Sequence, residues 1–223
     1  MEGAEHNKNV EAKNDNFSST MTILRPFGPS IAKVRMPSVM VNRINDHLSK
    51  ELRSATNKVD MGLFLASNVT QEIRLDDSFV EKSGLLQFLA KSAENWIQQV
   101  SGKNISQFKL MSSWAVRQFK HEYKPVHFHG GHISGVGYLE LPDEFGFYAQ
   151  SSKKGNLNGH IQFINGTPQF LSNAVMSARP KVGDFYLFPN YLLHTVYPFF
   201  AEGERRSLSF NALIDQNIFS ATH

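Results

Sequence analysis

Apolar positions change period once along the chain. Up to about residue 104 they recur every three or four residues. Val41, Ile44, Leu48 and Leu52 mark one face of a helix that opens near Pro37. Leu85, Leu86, Leu89, Ala93, Trp96, Ile97 and Val100 mark the buried stripe of a second helix. It is predicted over residues 78–100, with Gly102 as its stop. Ahead of both helices, Ile31, Lys33 and Arg35 alternate with Ala32, Val34 and Met36 as a short strand. The stretch Arg25-Pro26-Phe27-Gly28-Pro29 cannot be helical, and residues 58–77 show no period and read as strand or loop.

From Ile105 onward the helical period is gone. Short β-rich runs sit between turn residues: 108–119, 126–129, 132–141, 159–164, a run around Val175, 184–188, 194–197 and 206–213. That spacing predicts a β-sandwich or barrel. With no linker in view, residues 21–223 are expected to form one domain, two helices packed against an antiparallel core over about 105–215. Residues 1–20 are polar, Asn-rich and without an apolar run, and are expected to be a disordered tail.

Composition narrows the chemistry. Among 223 residues, Lys and Arg exceed Asp and Glu by three, too little for a strongly basic nucleic-acid binder. There is no cysteine, which excludes disulfides, thiolate metal sites and a cysteine nucleophile. No stretch reaches the ~20 apolar residues of a membrane helix. The expected setting is therefore cytoplasmic, the host cytoplasm if the chain is phage-encoded, with no membrane or nucleic-acid partner.

Six of the nine histidines fall in the β half: His121, His127, His129, His132, His160 and His194. His127-Phe128-His129 is a His-x-His pair. On a strand both rings would share a face, as two ligands of one metal require. His194 follows an apolar run and a Pro189-Asn190 turn, which would carry a third imidazole to a barrel mouth. Imidazole suits iron, zinc, copper and nickel alike, so the residues alone do not name the metal. Arg205 and Ser207 share a strand face. An arginine alternating with core residues needs an anionic partner, and its planar fork matches a carboxylate.

The stretches HFHGGHISGVGYLELP, GDFYLFPNYLLHTVYPF and ERRSLSFN, in that order, resemble the iron(II)- and 2-oxoglutarate-dependent oxygenases. The local match is closer to one branch, phage and bacterial oxygenases related to prolyl hydroxylases. RPFGPSIAKVRMP resembles the start of that family, and the likeness spans about residues 22–215. It implies an α+β, mainly β fold: a double-stranded β-helix, or jelly-roll, core with two N-terminal supporting helices. It implies Fe(II) and 2-oxoglutarate as cofactors, with dioxygen consumed and succinate and CO2 released. His127 and His194 would be metal ligands. Arg205, Ser207 and Tyr138 would hold the far carboxylate of 2-oxoglutarate. The substrate would be a peptidyl proline, another protein or peptide site, or a small molecule. Two rivals stand beside this reading: a three-histidine, cupin-like dioxygenase that needs no oxoacid, and a non-catalytic jelly-roll binding module.

The chain departs from the wider family, which has Asp or Glu where His129 stands. His129 could be the third ligand, leaving a +2 centre among neutral imidazoles. It could instead support the ligands beside an open metal position. Or a remote acid, Asp143 or Glu144, could supply the oxygen ligand. Gly135 and Gly137, flanking Val136, leave room for another backbone or a ligand. Of the two neighbouring arginines, Arg205 is expected inside the barrel and Arg206 outside, pairing with surface acids or solvent.

Overall fold

The computed structural model describes residues 20–53, 68–69, 71–147 and 155–220. The predicted N-terminal tail therefore lies, but for Thr20, outside the described residues, as does most of the 58–77 segment. The elements are β1 (Thr22–Leu24), β2 (Ile31–Arg35), α1 (Ser38–Arg53), β3 (Gln71–Arg74), α2 (Asp77–Lys82) and α3 (Leu85–Ser101). They continue with β4 (Phe108–Gln118), β5 (Lys124–His127), β6 (Ile133–Glu140), β7 (Ile161–Ile164), β8 (Val175–Ala178), β9 (Asp184–Pro189), β10 (Leu193–Val196), β11 (Arg205–Ile214) and α4 (Gln216–Ser220).

All pairings are antiparallel. One sheet runs β1-β2-β9-β6-β11-β4-β3 and the other β5-β10-β7-β8. This is the two-sheet jelly-roll. Alternation divides each strand of the larger sheet between two cores. On β9, Phe185 and Leu187 face the helices, where Met40, Ile44 and Leu48 of α1 and Phe88 and Leu89 of α3 are buried with them. Tyr186 and Phe188 face the other way and pack with Val136, Tyr138, Ile161 and Phe163 between the sheets.

The helical half differs from the expectation in one respect. Residues 78–100 are two helices, not one. The chain turns at Gly84, whose φ of +83° is the left-handed conformation that glycine adopts without penalty. Asp76 caps α2 by accepting a hydrogen bond from the Phe79 N–H at 2.7 Å. The stripe from Leu85 to Val100 lies wholly in α3, and the residues predicted ahead of it belong to α2, where Val80 is buried. β1, β3 and α4 are short elements that the sequence pattern did not resolve.

Gly135 and Gly137 meet close neighbours, as expected, but these are aromatic rings of the helix-side core. A side-chain carbon on Gly137 would run into the Phe185 ring, which Phe88 meets edge-on at 5.6 Å. Gly137→Ala should therefore destabilise the fold by about 1–3 kcal/mol, the range for overpacking a dense core. Urea unfolding would show it, and an unchanged midpoint would mean that Phe185 yields.

Candidate metal centre

The strand ladder builds the cavity. On β11, Arg205, Ser207 and Ser209 point between the sheets, opposite Gln118, Val116 and Trp114 of β4. On the other side, Ser207 and Ser209 face Tyr138 and Val136 of β6. The smaller sheet closes the space, with His194 on β10 paired to His127 on β5. Trp114, Lys124, His127, His129, His194, Arg205 and Ser207 all line one cavity.

The expected strand over 126–129 ends earlier. β5 stops at His127, so His129 stands past the strand end in a loop. What holds it there is Asn190. The His129 N–H donates to the Asn190 carbonyl at 3.0 Å, and Asn190 Nδ2 donates back to the His129 carbonyl at 3.2 Å. The Asn190 N–H also reaches the His132 carbonyl. Trp114 stacks on the His129 ring at 5.6 Å and Phe188 meets the His194 ring edge-on at 4.9 Å.

One nitrogen from each of His127, His129 and His194 lies within 4.8 Å of the others. His127 Nδ1 donates to the Pro125 carbonyl at 2.7 Å, and His194 Nδ1 donates to the Leu192 carbonyl at 2.9 Å. A carbonyl only accepts, so each Nδ1 carries the proton and each neutral ring presents a lone pair at Nε2. His129 Nε2 and His194 Nε2 are 3.1 Å apart. Two lone pairs at that range repel unless a proton or a cation stands between them. Two nitrogens each about 2.1 Å from one ion, at right angles, are about 3 Å apart, so the donor set fits a metal. Burial, first of all, holds all three rings in the neutral form that ligation needs: it lowers the pKa of His127, pushes His129 down to about 3 and puts His194 well below its ordinary value.

This has a measurable sign. The unfolded chain takes up protons on these rings as pH falls through about 6.5, whereas folded His129 resists until about 3. The stability tied to the neutral rings is present above 6.5 and is lost as pH drops from there toward 3. The melting temperature of metal-free protein should therefore fall between about pH 7 and pH 5, and less steeply in His129→Asn. Parallel slopes for the two proteins would show that His129 is not held neutral.

The far end of the cavity is cationic. Arg205 is 1% exposed and meets one described acceptor, Gln118 Oε1, at 3.2 Å from Nη1. Its Nε and Nη2 and the buried Tyr138 hydroxyl have no partner at good hydrogen-bond geometry, although the hydroxyl lies close enough to feel the guanidinium, and the Tyr138 ring is 5.0 Å from it. Burial pushes the Tyr138 phenol up to about 12, against the pull of Arg205, so it remains a neutral donor. Among the described residues no carboxylate lies within ion-pair distance of Arg205. Lys124 instead pairs with Glu72 of β3, and both are buried.

The remaining candidates fall elsewhere. Asp143 and Glu144 are exposed beyond β6 and stand outside the histidine cluster. His132 accepts the Ile214 N–H at 3.1 Å and stacks on Phe219, while His160 Nδ1 donates to the Asn158 carbonyl. Arg206 points away from Arg205, as expected, but not to solvent. It is 6% exposed, beneath α1, bonded to Glu204, Glu140 and Asn45. Sequence reasoning missed Trp114, Gln118, Glu72, Lys124 and Asn190. Trp114 and Gln118 carried a signal, since they alternate with Val116 along a strand whose inner face was predictable.

Residues 112–211 match the family described as "Putative 2OG-Fe(II) oxygenase". A search of curated protein sequences found no match. Among solved structures, a Pseudomonas putida prolyl-4-hydroxylase superposes with a TM-score of 0.53 at 14% identity, covering 81% of this chain and 91% of that one. The viral collagen prolyl hydroxylase of Paramecium bursaria Chlorella virus-1, solved with 2OG, gives 0.54 at 14%, covering 82% and 94%. A Trichoplax adhaerens prolyl hydroxylase, in complex with a hypoxia inducible factor peptide fragment, gives 0.53 at 12%, covering 86% and 87%. These likenesses carry the fold. Among the described residues no helix is long and apolar enough to cross a membrane. The matched residues, 112–211, include the strands that carry the histidines and the arginine, and this part of the chain is similar to the 2OG-Fe(II) oxygenases, enzymes dependent on iron(II) and 2-oxoglutarate.

Proposed function

We propose that His127, His129 and His194 hold the iron, that Arg205 holds the far carboxylate of 2-oxoglutarate, and that the enzyme hydroxylates a C–H bond, with a peptidyl proline as first candidate. The observation that carries this reading is Arg205. A guanidinium buried to 1% exposure, with its Nε and Nη2 nitrogens unpartnered, is a costly arrangement unless an anion joins it. A carboxylate entering the cavity would meet Nε and Nη2 as a fork, with the Tyr138 hydroxyl as a further donor and Ser207 on the same face. A cupin-like dioxygenase without an oxoacid has no use for such a clamp.

Iron(II) with 2-oxoglutarate supplies the oxidising power that places an oxygen atom from dioxygen on the substrate, with release of succinate and CO2. The chain's own share is geometry. Asn190 and Trp114 fix the His129 ring, and two backbone carbonyls fix the tautomers of His127 and His194. Ile161, Phe188, Val136 and Val196 form the apolar part of the cavity wall. A peptidyl proline comes first because the solved structures similar to this chain include prolyl hydroxylases, one of them in complex with a peptide fragment. Succinate release with a panel of proline peptides, against free proline and small metabolites, tests the substrate. Coupled turnover on non-peptide substrates alone would overturn the peptide assignment.

A further inference from the structure

Gln118 does two things that the proposed chemistry has not used. Its Nε2 donates to two backbone carbonyls, Glu122 at 2.6 Å and Tyr197 at 3.2 Å. Those two acceptors fix which way the amide faces, because its oxygen could not take their place. Its Oε1 is thereby turned toward Arg205 Nη1. Gln118 is fully buried, and it is the cross-strand partner of Arg205 in the ladder. The carboxylate that could have neutralised the cavity, Glu72, is engaged by Lys124. Arg205 therefore rests on a neutral acceptor and keeps its charge, with Nε and Nη2 still unpartnered.

We propose that Gln118 is the positioning residue of the co-substrate site: it orients the Arg205 fork without neutralising it, and so sets the preference for a dicarboxylic over a monocarboxylic 2-oxo acid. This rests on the assignment of Arg205 to the far carboxylate. An amide is the side chain suited to the place. A carboxylate there would be repelled by the two carbonyls, would swing fully onto Arg205 and would occupy the N–H groups that the co-substrate needs. A thioether of the same length would keep the volume and release the guanidinium from its orientation.

The test is calorimetric titration of dioxygen-free, Mn(II)-loaded protein with 2-oxoglutarate and, separately, with 2-oxopentanoate, which has the same chain without the second carboxylate. Wild type should prefer 2-oxoglutarate strongly. Gln118→Met should bind it about fivefold to tenfold more weakly, with 2-oxopentanoate unchanged. Gln118→Glu should lose most of the preference. Thermal unfolding identifies a variant that fails to fold, in which case Gln118→Met decides. If folded Gln118→Met keeps the wild-type preference while Arg205→Ala loses it, the role of Gln118 is wrong and that of Arg205 stands. If Arg205→Ala keeps the preference as well, the arginine assignment falls first.

Discussion

His127→Ala and His194→Ala should each lose iron, with affinity falling by more than about a hundredfold, while the jelly-roll still folds. Three imidazole donors converge within 4.8 Å, and removing one leaves two, too few to hold Fe(II) against a chelator. The rings sit at the rim of the interior core, so the cavity left by either change is local. His129→Asp should retain the metal, since a carboxylate there gives the commoner ligand set of the family, whereas His129→Ala should weaken it substantially. Iron per chain after dialysis against chelator is the measurement. Stoichiometric iron in any of the alanine variants would remove that residue from the ligand set.

Arg205→Ala and Arg206→Ala should part company. Truncating Arg205 removes a charge-assisted fork worth roughly 1.5–3 kcal/mol or more when desolvated, so the 2-oxoglutarate requirement should rise about tenfold to a hundredfold. The fold should tolerate the loss, because it also removes a buried charge that has no ion-pair partner among the described residues. Arg206 has the opposite profile. It ties Glu204, Glu140 and Asn45 together beneath α1. Glu204 keeps Arg117 as a second partner at 2.7 Å, which softens the loss. Arg206→Ala should therefore lower stability by about 1–3 kcal/mol, short of the 3–5 kcal/mol for breaking a fully buried pair. The 2-oxoglutarate dependence should barely move. Succinate formation against 2-oxoglutarate concentration, set beside urea unfolding, separates the two. A larger effect of Arg206→Ala on the co-substrate requirement would mean that the strand register is off by one.

The strands around the site were legible because alternation and Gly or Pro punctuation are local signals. So was the arginine register, since neighbours on a strand must diverge. The remainder depended on distant partners. A period-2 reading carries β5 through Phe128 to His129, and only the Asn190 clasp shows that His129 is held from a loop. The shift in register between β10 and β5 turns Lys124 inward three residues before His127, against simple alternation. Glu72 comes from a stretch with no period at all. The burial of Arg206 required knowing that α1 packs on β6, the neighbour of β11, and reaches Arg206 through Asn45, and nothing near Arg206 in sequence says so. The three histidines were singled out by the order of the motifs, but what orients them was not legible there.

β5 is four residues long and forms one edge of the smaller sheet, bonded to β10 alone among the described strands. The three histidines are therefore unequal in how firmly the chain owns them. His194 belongs to an interior strand, His129 to a clasped loop, and His127 to a margin that can fray without unfolding anything else. If the three rings hold the iron as proposed, ion exchange would not await global opening: it would proceed through brief excursions of this margin, and a seated ion would fasten the edge that admitted it. Loaded and empty forms would then differ less in average shape than in the lifetime of a single strand.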